Sequence, residues 1–336
     1  MTTLAQMLLD NPLVPEAPDN GPAFVELAAH VLRRIAVPGK AYRVGTGGMI
    51  EVSPKDARLS AERFVFAESD PIDAVMEQVR GGFIDMQTVR RFTELPANPI
   101  WLEYRENDPD DRHGRVGHLV QRLEGDELAQ SPQFPMAITS VISAAPGEKP
   151  GGCLFLSVRL PEFTDPRLNN DEGFPAEIDW LPKAWWKKTF GVKSTTAMAR
   201  EVSNIARDVA CMLFLLNVPR VCEMRDHKPS DKLQRARTRS GKSPLIEFRQ
   251  VKLVVGLGSP RYKQAQGSRA VSNSATDEAY AHKRLHRVIG HFRIYHERHD
   301  KGLPPSWVPE HWRGDASRGV ILKNRNVEIP QKGKPT

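Results

Sequence analysis

The chain has 336 residues, enough for two average domains or one large one, and its 40% hydrophobic and 26% charged content is that of a globular protein with a real core. Its net charge of +7 conceals a division: residues 183–336 carry 31 Lys and Arg against 13 Asp and Glu, a net +18, and the remainder carries 17 against 28, a net −11. No run of 18 apolar residues occurs, the first Arg is Arg33, and Cys153, Cys211 and Cys222 have no CxxC spacing, so a membrane span, a leader, a disulfide framework and a Cys-rich zinc site are all unexpected and a reducing, cytoplasmic setting is expected.

Residues 4–10 read as a short helix. Asn20-Gly21-Pro22 opens a second, with Phe24, Leu27, Ala28, Val31 and Leu32 at helical spacing. Tyr42 to Val44 and Met49 to Val52 flank Gly45-Thr46-Gly47-Gly48 and read as a hairpin. No Gly-Lys-Ser/Thr follows the glycines, so a turn is expected and not a phosphate loop, and no cofactor is predicted. Asp70-Pro71 starts a helix to about Val79, and Asp85 to Phe92 reads as another. Ile100 to Tyr104 reads as a strand with Trp101 and Glu103 facing away from Leu102, and Asp108 to Arg112 as a charged turn. Segments 115–123, 136–144 and 153–160 read as strands of a largely antiparallel sheet.

Phe163 to Lys188 reads as a long ordered loop. It is the expected boundary between an acidic α+β region (1–182) and a basic, His/Arg-rich α+β region (183–330), which a basic tail (331–336) follows. Trp180, Trp185 and Trp186, beside Lys187 and Lys188, are expected to anchor that loop to the core rather than to stack on bases. Thr195 to Leu216 is the strongest helical pattern, with Met198, Val202, Ile205, Val209, Met212 and Leu216 on one face. Pro219 ends it, and Arg220 to Met224 reads as a strand. Asp231 to Arg239 reads as a short basic helix or turn ending at Gly241, Ile246 to Val255 as a strand, and 256–280 as a flexible loop. Lys283 to His296 reads as a long strand with Arg318 to Ile329 as its partner. The expected fold class is α+β, with mixed or mainly antiparallel sheets and a long central amphipathic helix.

Three groups of residues can carry chemistry. Lys228 to Lys242 holds Lys232, Arg235, Arg237, Arg239 and Lys242 with Asp231 as its one acid, and in a helix Lys232, Arg235 and Arg239 share a face. Guanidinium groups match phosphate oxygens in bidentate geometry, so this segment suits a polyanion as well as it suits a solvated basic face. Six of ten histidines lie in 282–311, and a strand through them puts Arg287, His291, Arg293 and Tyr295 on one face. His291, His296 and His299 have no recognised zinc spacing, so no metal is predicted. An acid–base pair of His291 and His311, with Arg293 or Arg313 stabilising a pentavalent phosphate, is the catalytic alternative. The third group is Trp307 to Asp315, a compact knot in which Trp307 and Trp312 are expected to pack on the sheet and Gly314 to supply a turn.

The back half resembles a group of bacteriophage and prophage proteins with no established activity. The resemblance rests on Leu215-Leu216-Asn217; on Lys232-Leu233 with Arg235-Ala236-Arg237, Gly241-Lys242 and Pro244-Leu245; on His286, Val288 and Gly290-His291-Phe292-Arg293; and on Trp307 through Gly314. Leu95-Pro96 followed by Trp101 and Glu103 is similar to the group's front half. Ile289 stands where the group often has Arg, so position 289 is assigned no ligand contact. The resemblance implies a mobile-element origin and no catalytic role. The leading expectation is an accessory protein that binds DNA or RNA phosphates through Lys232, Arg235, Arg237, Arg239, Lys242, Arg287, Arg293 and Arg313, with His291 and Tyr295 adding hydrogen bonds or stacking. The alternatives are a metal-independent nuclease or phosphoesterase using His291 and His311, and a module that binds a host or phage protein.

Overall fold

The structure, a computed structural model, describes residues 3–10, 14–15, 21–37, 39–44, 48–54, 60–66, 71–105, 114–143, 152–169, 176–180, 195–253, 284–288, 290–294, 301–309, 311–313 and 315–321. Asp108–Arg112, Trp185, Trp186, the 256–280 loop, Tyr295, Gly314 and the tail lie outside the described residues.

The protein is α+β. Its helices are α1 (Leu4–Asp10), α2 (Gly21–Ile35), α3 (Pro71–Arg80), α4 (Met86–Arg91), α5 (Gly125–Gln130), α6 (Thr195–Asn217) and α7 (Asp231–Arg239). The main sheet is built from β1 (Val14–Pro15), β4 (Glu62–Phe66), β5 (Ile100–Arg105), β6 (Arg115–Arg122), β7 (Met136–Ser143), β8 (Gly152–Leu160), β9 (Glu177–Trp180), β10 (Cys222–His227) and β11 (Phe248–Leu253). Its strand order is β1-β8-β7-β6-β5-β4-β11-β10, with β9 also on β8. The pairs β5–β6, β6–β7, β7–β8, β8–β9 and β10–β11 are antiparallel, and β4 runs parallel to both of its neighbours. The hairpin expected around Tyr42 and Met49 is β2 (Lys40–Val44) against β3 (Gly48–Val52).

Alternation along the strands sends side chains to two faces, and each face is covered. One core packs Phe64, Leu102, Val120 and Val158 of the sheet under α3, α4 and α6, where Val209, Phe214 and Leu213 point inward. It draws on both charge regions, since Val251 and Phe292 belong to it as well. The opposite face packs Trp101, Leu119 and Val141 under α1, α2 and the β2–β3 hairpin.

Several boundaries differ from the sequence expectation, each for a local reason. Pro219 and Arg220 form a turn with Arg220 in the left-handed region at φ +67°, so the strand expected from Arg220 begins at Cys222. The strand expected from Ile246 begins at Phe248, because the Ile246 N–H is donated to Gln6 Oε1 of α1 (3.1 Å). The stretch read as one loop from Phe163 contains a 3₁₀ turn (Pro166–Asn169) and strand β9. The long strand expected over 283–296 is two strands, β12 (Arg284–Val288) and β13 (His291–Arg293). β13 pairs antiparallel with β14 (Ser306–Val308), and β12 with β15 (His311–Arg313). The parallel partner of β12 is β16 (Asp315–Ile321), not a strand starting at Arg318. His291↔Val308 and Val288↔His311 are three steps apart on each chain, so the register is unchanged across the break. Gly290 and Pro309 lie outside both ladders, and Pro309 has no N–H to offer one.

His118 of β6 is fully buried; its Nδ1 lies 2.7 Å from Ser140 Oγ, and its Nε2 has no partner among the described residues. Burial pushes its pKa from 6.5 down to about 3. The native state stays neutral where the unfolded chain takes a proton, so this contribution is complete above pH 6.5 and is lost as the pH falls towards 3. About 1.6 kcal/mol is expected to go between pH 6.5 and 5, the slope rising towards 1.36 kcal/mol per unit as the unfolded imidazole becomes fully protonated. Urea titrations at the two pH values should show His118→Gln losing less stability than the wild type over this interval, and an equal loss would refute the assignment.

Candidate nucleic-acid interface

The basic segment Lys228–Lys242 is built around α7. Ser230 caps the helix, its Oγ accepting the Leu233 N–H at 3.4 Å, and Asp231 sits in the first turn, where the helix dipole favours an acid. The other end closes on Gly241 at φ +72°, a conformation glycine adopts without strain.

Two side chains hold α7 to the body. Gln234 exchanges hydrogen bonds with Leu245, donating from Nε2 to the carbonyl (2.7 Å) and accepting the N–H (2.8 Å). Arg237 donates through Nη2 to both carboxylate oxygens of Asp10 (2.5 and 2.7 Å) and through Nε to Ser243 O (2.8 Å). Ser243 in turn donates to Leu9 O (2.8 Å), so the helix and the strap after it are fastened to α1. Arg237 was expected to meet phosphate; an acid from the front of the chain neutralises it instead.

With Gln234 and Arg237 facing inward, Lys232, Arg235 and Arg239 lie on the outer face and are exposed. No residue of α7 is buried. Arg235 Nε donates to Asp231 O at 3.4 Å, and Lys232, Arg239 and Lys242 have no carboxylate partner among the described residues. Leu233, 47% exposed, adds an apolar patch at the edge of this cationic row.

The His-rich hairpin lies elsewhere. Phe292 is buried against Phe214 of α6 (5.2 Å between ring centres) and Trp307 (5.2 Å), on the α3/α6 face of the sheet. His291 lies beside Phe83, 5.5 Å between ring centres. Arg293 is exposed opposite Ser306, Arg313 is exposed opposite His286, and Arg287 pairs with Trp312. His311 Nδ1 sits 2.9 Å from Pro309 O. His291 and His311 belong to different small sheets, β13–β14 and β15–β12–β16, and no hydrogen bond or ring contact joins the two imidazoles among the described residues. α7, by contrast, docks on α1, which covers the Trp101 face. The structure therefore unites Lys232, Arg235, Arg239 and Lys242 but keeps them apart from His291 and Arg293, with the sheet between.

A polar cleft of about 350 Å³, not anticipated from the sequence, lies between α2 and strands β6 to β8 on the Trp101 side. Its lining includes Glu26, His30, Glu127, Thr139, Ser157 and Arg159. These residues come from four elements, and no local spacing announces them. Burial first, then Arg34 and Arg33, lower the His30 pKa to about 4, too low for an efficient base near neutrality. The Ser157 hydroxyl is 3.3 Å from that of Thr139, with no base beside it in that pairing. No activated nucleophile is thus assembled there among the described residues.

Among the described residues no helix is long and apolar enough to cross a membrane. Comparison with protein-family models, with curated proteins and with solved structures gives no match for this chain.

Proposed function

We propose that the protein binds the phosphate backbone of DNA or RNA through the outer face of α7, as an accessory protein of a phage or prophage acting in the cytoplasm of its bacterial host. The observation that carries this reading is the sorting of cations on α7. Arg237 is spent on Asp10 and fixes the helix, and Lys232, Arg235 and Arg239 face solvent together. A row of this kind on a fastened helix can meet successive phosphates without reordering the backbone, and it reads no base. Lys228, exposed just before the helix, and Lys242, exposed just after it, add charge at its two ends. Sequence preference is accordingly expected to be weak, with affinity dominated by charge.

A gel shift with a mixed-sequence duplex and with single-stranded RNA tests this. Lys232→Gln/Arg235→Gln/Arg239→Gln is expected to weaken binding at least tenfold while leaving the thermal midpoint within a few degrees, since none of the three side chains is buried. Wild-type affinity in the triple variant would overturn the assignment, and a complex with only one of the polymers would say which one the protein serves.

A further inference from the structure

The main sheet ends on β10, whose one strand partner among the described residues is β11. Five of its six residues, Glu223 to His227, are exposed, and Met224 is 44% exposed. An edge of this length leaves backbone N–H and C=O groups open to another strand. We propose that β10 pairs with β10 of a second copy of this chain, antiparallel about Met224, joining the two main sheets into one.

The charges on the strand select this register. Pairing Met224 with Met224 places Glu223 opposite Arg225 of the second copy and, by the two-fold symmetry, Arg225 opposite its Glu223. The neighbouring registers that the two-fold axis allows would instead centre on Cys222, Glu223, Arg225 or Asp226, and those centred on Glu223 or Arg225 set like charges opposite each other. The face also fits. Arg225 lies opposite Gln250, and Met224 opposite Val251 of the α6-side core, so Glu223 and Arg225 sit on the α1 side and Met224 on the α6 side. The pairing thus brings two exposed methionines together on one side of the joint and two ion pairs on the other. Single charges that would blunt an edge against non-specific pairing become complementary in this symmetric arrangement.

The joint has a consequence for the cationic helices, which rests on the nucleic-acid reading above. The two-fold axis stands perpendicular to the joined sheet, so both copies of α7 lie on the same side. His227 is three residues from the axis, about 10 Å at roughly 3.3 Å per residue, and α7 begins beyond it at opposite ends of the joint. The dimer therefore offers one polyanion two cationic rows, on one face and well separated.

Analytical ultracentrifugation without nucleic acid tests the pairing on its own. The wild type is expected to dimerise with rising concentration. Glu223→Arg sets like charges opposite each other twice and is expected to raise the dimer dissociation constant about tenfold or more. Arg225→Glu should do the same, and the double exchange Glu223→Arg/Arg225→Glu should restore the dimer. A wild type that stays monomeric, a different partner captured by this edge, or a double exchange that remains as weak as the singles would overturn the proposal. None of these outcomes bears on whether the monomer binds nucleic acid, which the gel shift reads separately.

Discussion

Gly117→Ala is expected to destabilise the protein by about 3 kcal/mol or more, an unusually large cost for a single added methyl group. Gly117 lies inside β6, opposite Glu103 on β5. A Cβ built there would stand 2.1 Å from Trp101 Cζ2 and 2.5 Å from Cη2. Both separations are well inside van der Waals contact, so the indole would have to move. Trp101 has no room to do so: it is fully buried, it packs in the core beneath α1 and α2, and its Nε1 donates to Glu103 Oε2 at 3.3 Å. Glycine in a central strand ordinarily weakens it, and here it is what lets the neighbouring strand carry the largest aromatic side chain. Urea denaturation checks the magnitude. Trp101→Phe combined with Gly117→Ala should cost less than the sum of the single changes, because the smaller ring vacates the space the methyl needs. A Gly117→Ala protein within 0.5 kcal/mol of wild type would contradict the packing described.

Glu103→Ala is expected to cost about 3–5 kcal/mol, the range for breaking a buried charged network on one side. The carboxylate is fully buried yet surrounded by donors. It accepts the Leu4 N–H, the Ala5 N–H (3.2 Å), the Trp101 indole N–H (3.3 Å) and Arg115 Nη1 (3.0 Å). Leu4 and Ala5 open α1, where amide groups have no partner within the helix and the dipole favours a negative charge. Burial raises the Glu103 pKa, and the Leu4 amide, Arg115, the Ala5 amide and the indole pull it back. Removing the side chain strands all four donors at once. It also loosens α1, to which the α7 strap is tied through Leu9 and Gln6. Glu103→Gln keeps an acceptor and should fall between alanine and wild type. Hydrogen exchange should show the α1 amides losing protection first, and unchanged protection in Glu103→Ala would contradict this role.

Much of this architecture could be read from local pattern. The 3-4-3 spacing of Val202, Ile205, Val209 and Met212 specifies a helix face, and those residues are buried in α6. The strands around 115–123 and 136–144 showed themselves by apolar runs and alternation, and they are β6 and β7. β4 went unread. Phe64, Val65 and Phe66 are all buried, because a parallel strand in mid-sheet is covered on both faces, and five residues without alternation give no period to detect. The strand expected over 283–296 erred the other way. It is divided into β12 and β13, each with its own partner, and Pro309 beside the break is far from Gly290 in the chain.

The site divides in the same manner. That Lys232, Arg235 and Arg239 share a face follows from helical geometry and needs nothing else. That Arg237 turns away from them depends on Asp10, 227 residues distant in the chain. That His291 stands across the sheet from α7 depends on Phe292 packing against Phe214, a tertiary contact no spacing encodes. The charge asymmetry between the two regions marked where cations would be found, and it was silent on how the fold would sort them.

The salt dependence of binding tests the central claim most directly. With fluorescence anisotropy on a labelled duplex, the logarithm of the wild-type affinity should fall linearly with the logarithm of salt concentration, steepened by about 0.9 for each phosphate neutralised. Lys232→Gln/Arg235→Gln/Arg239→Gln should flatten that slope by roughly 2 to 3. A wild-type affinity indifferent to salt, or a slope the triple variant leaves unchanged, would contradict an interface made by the outer face of α7.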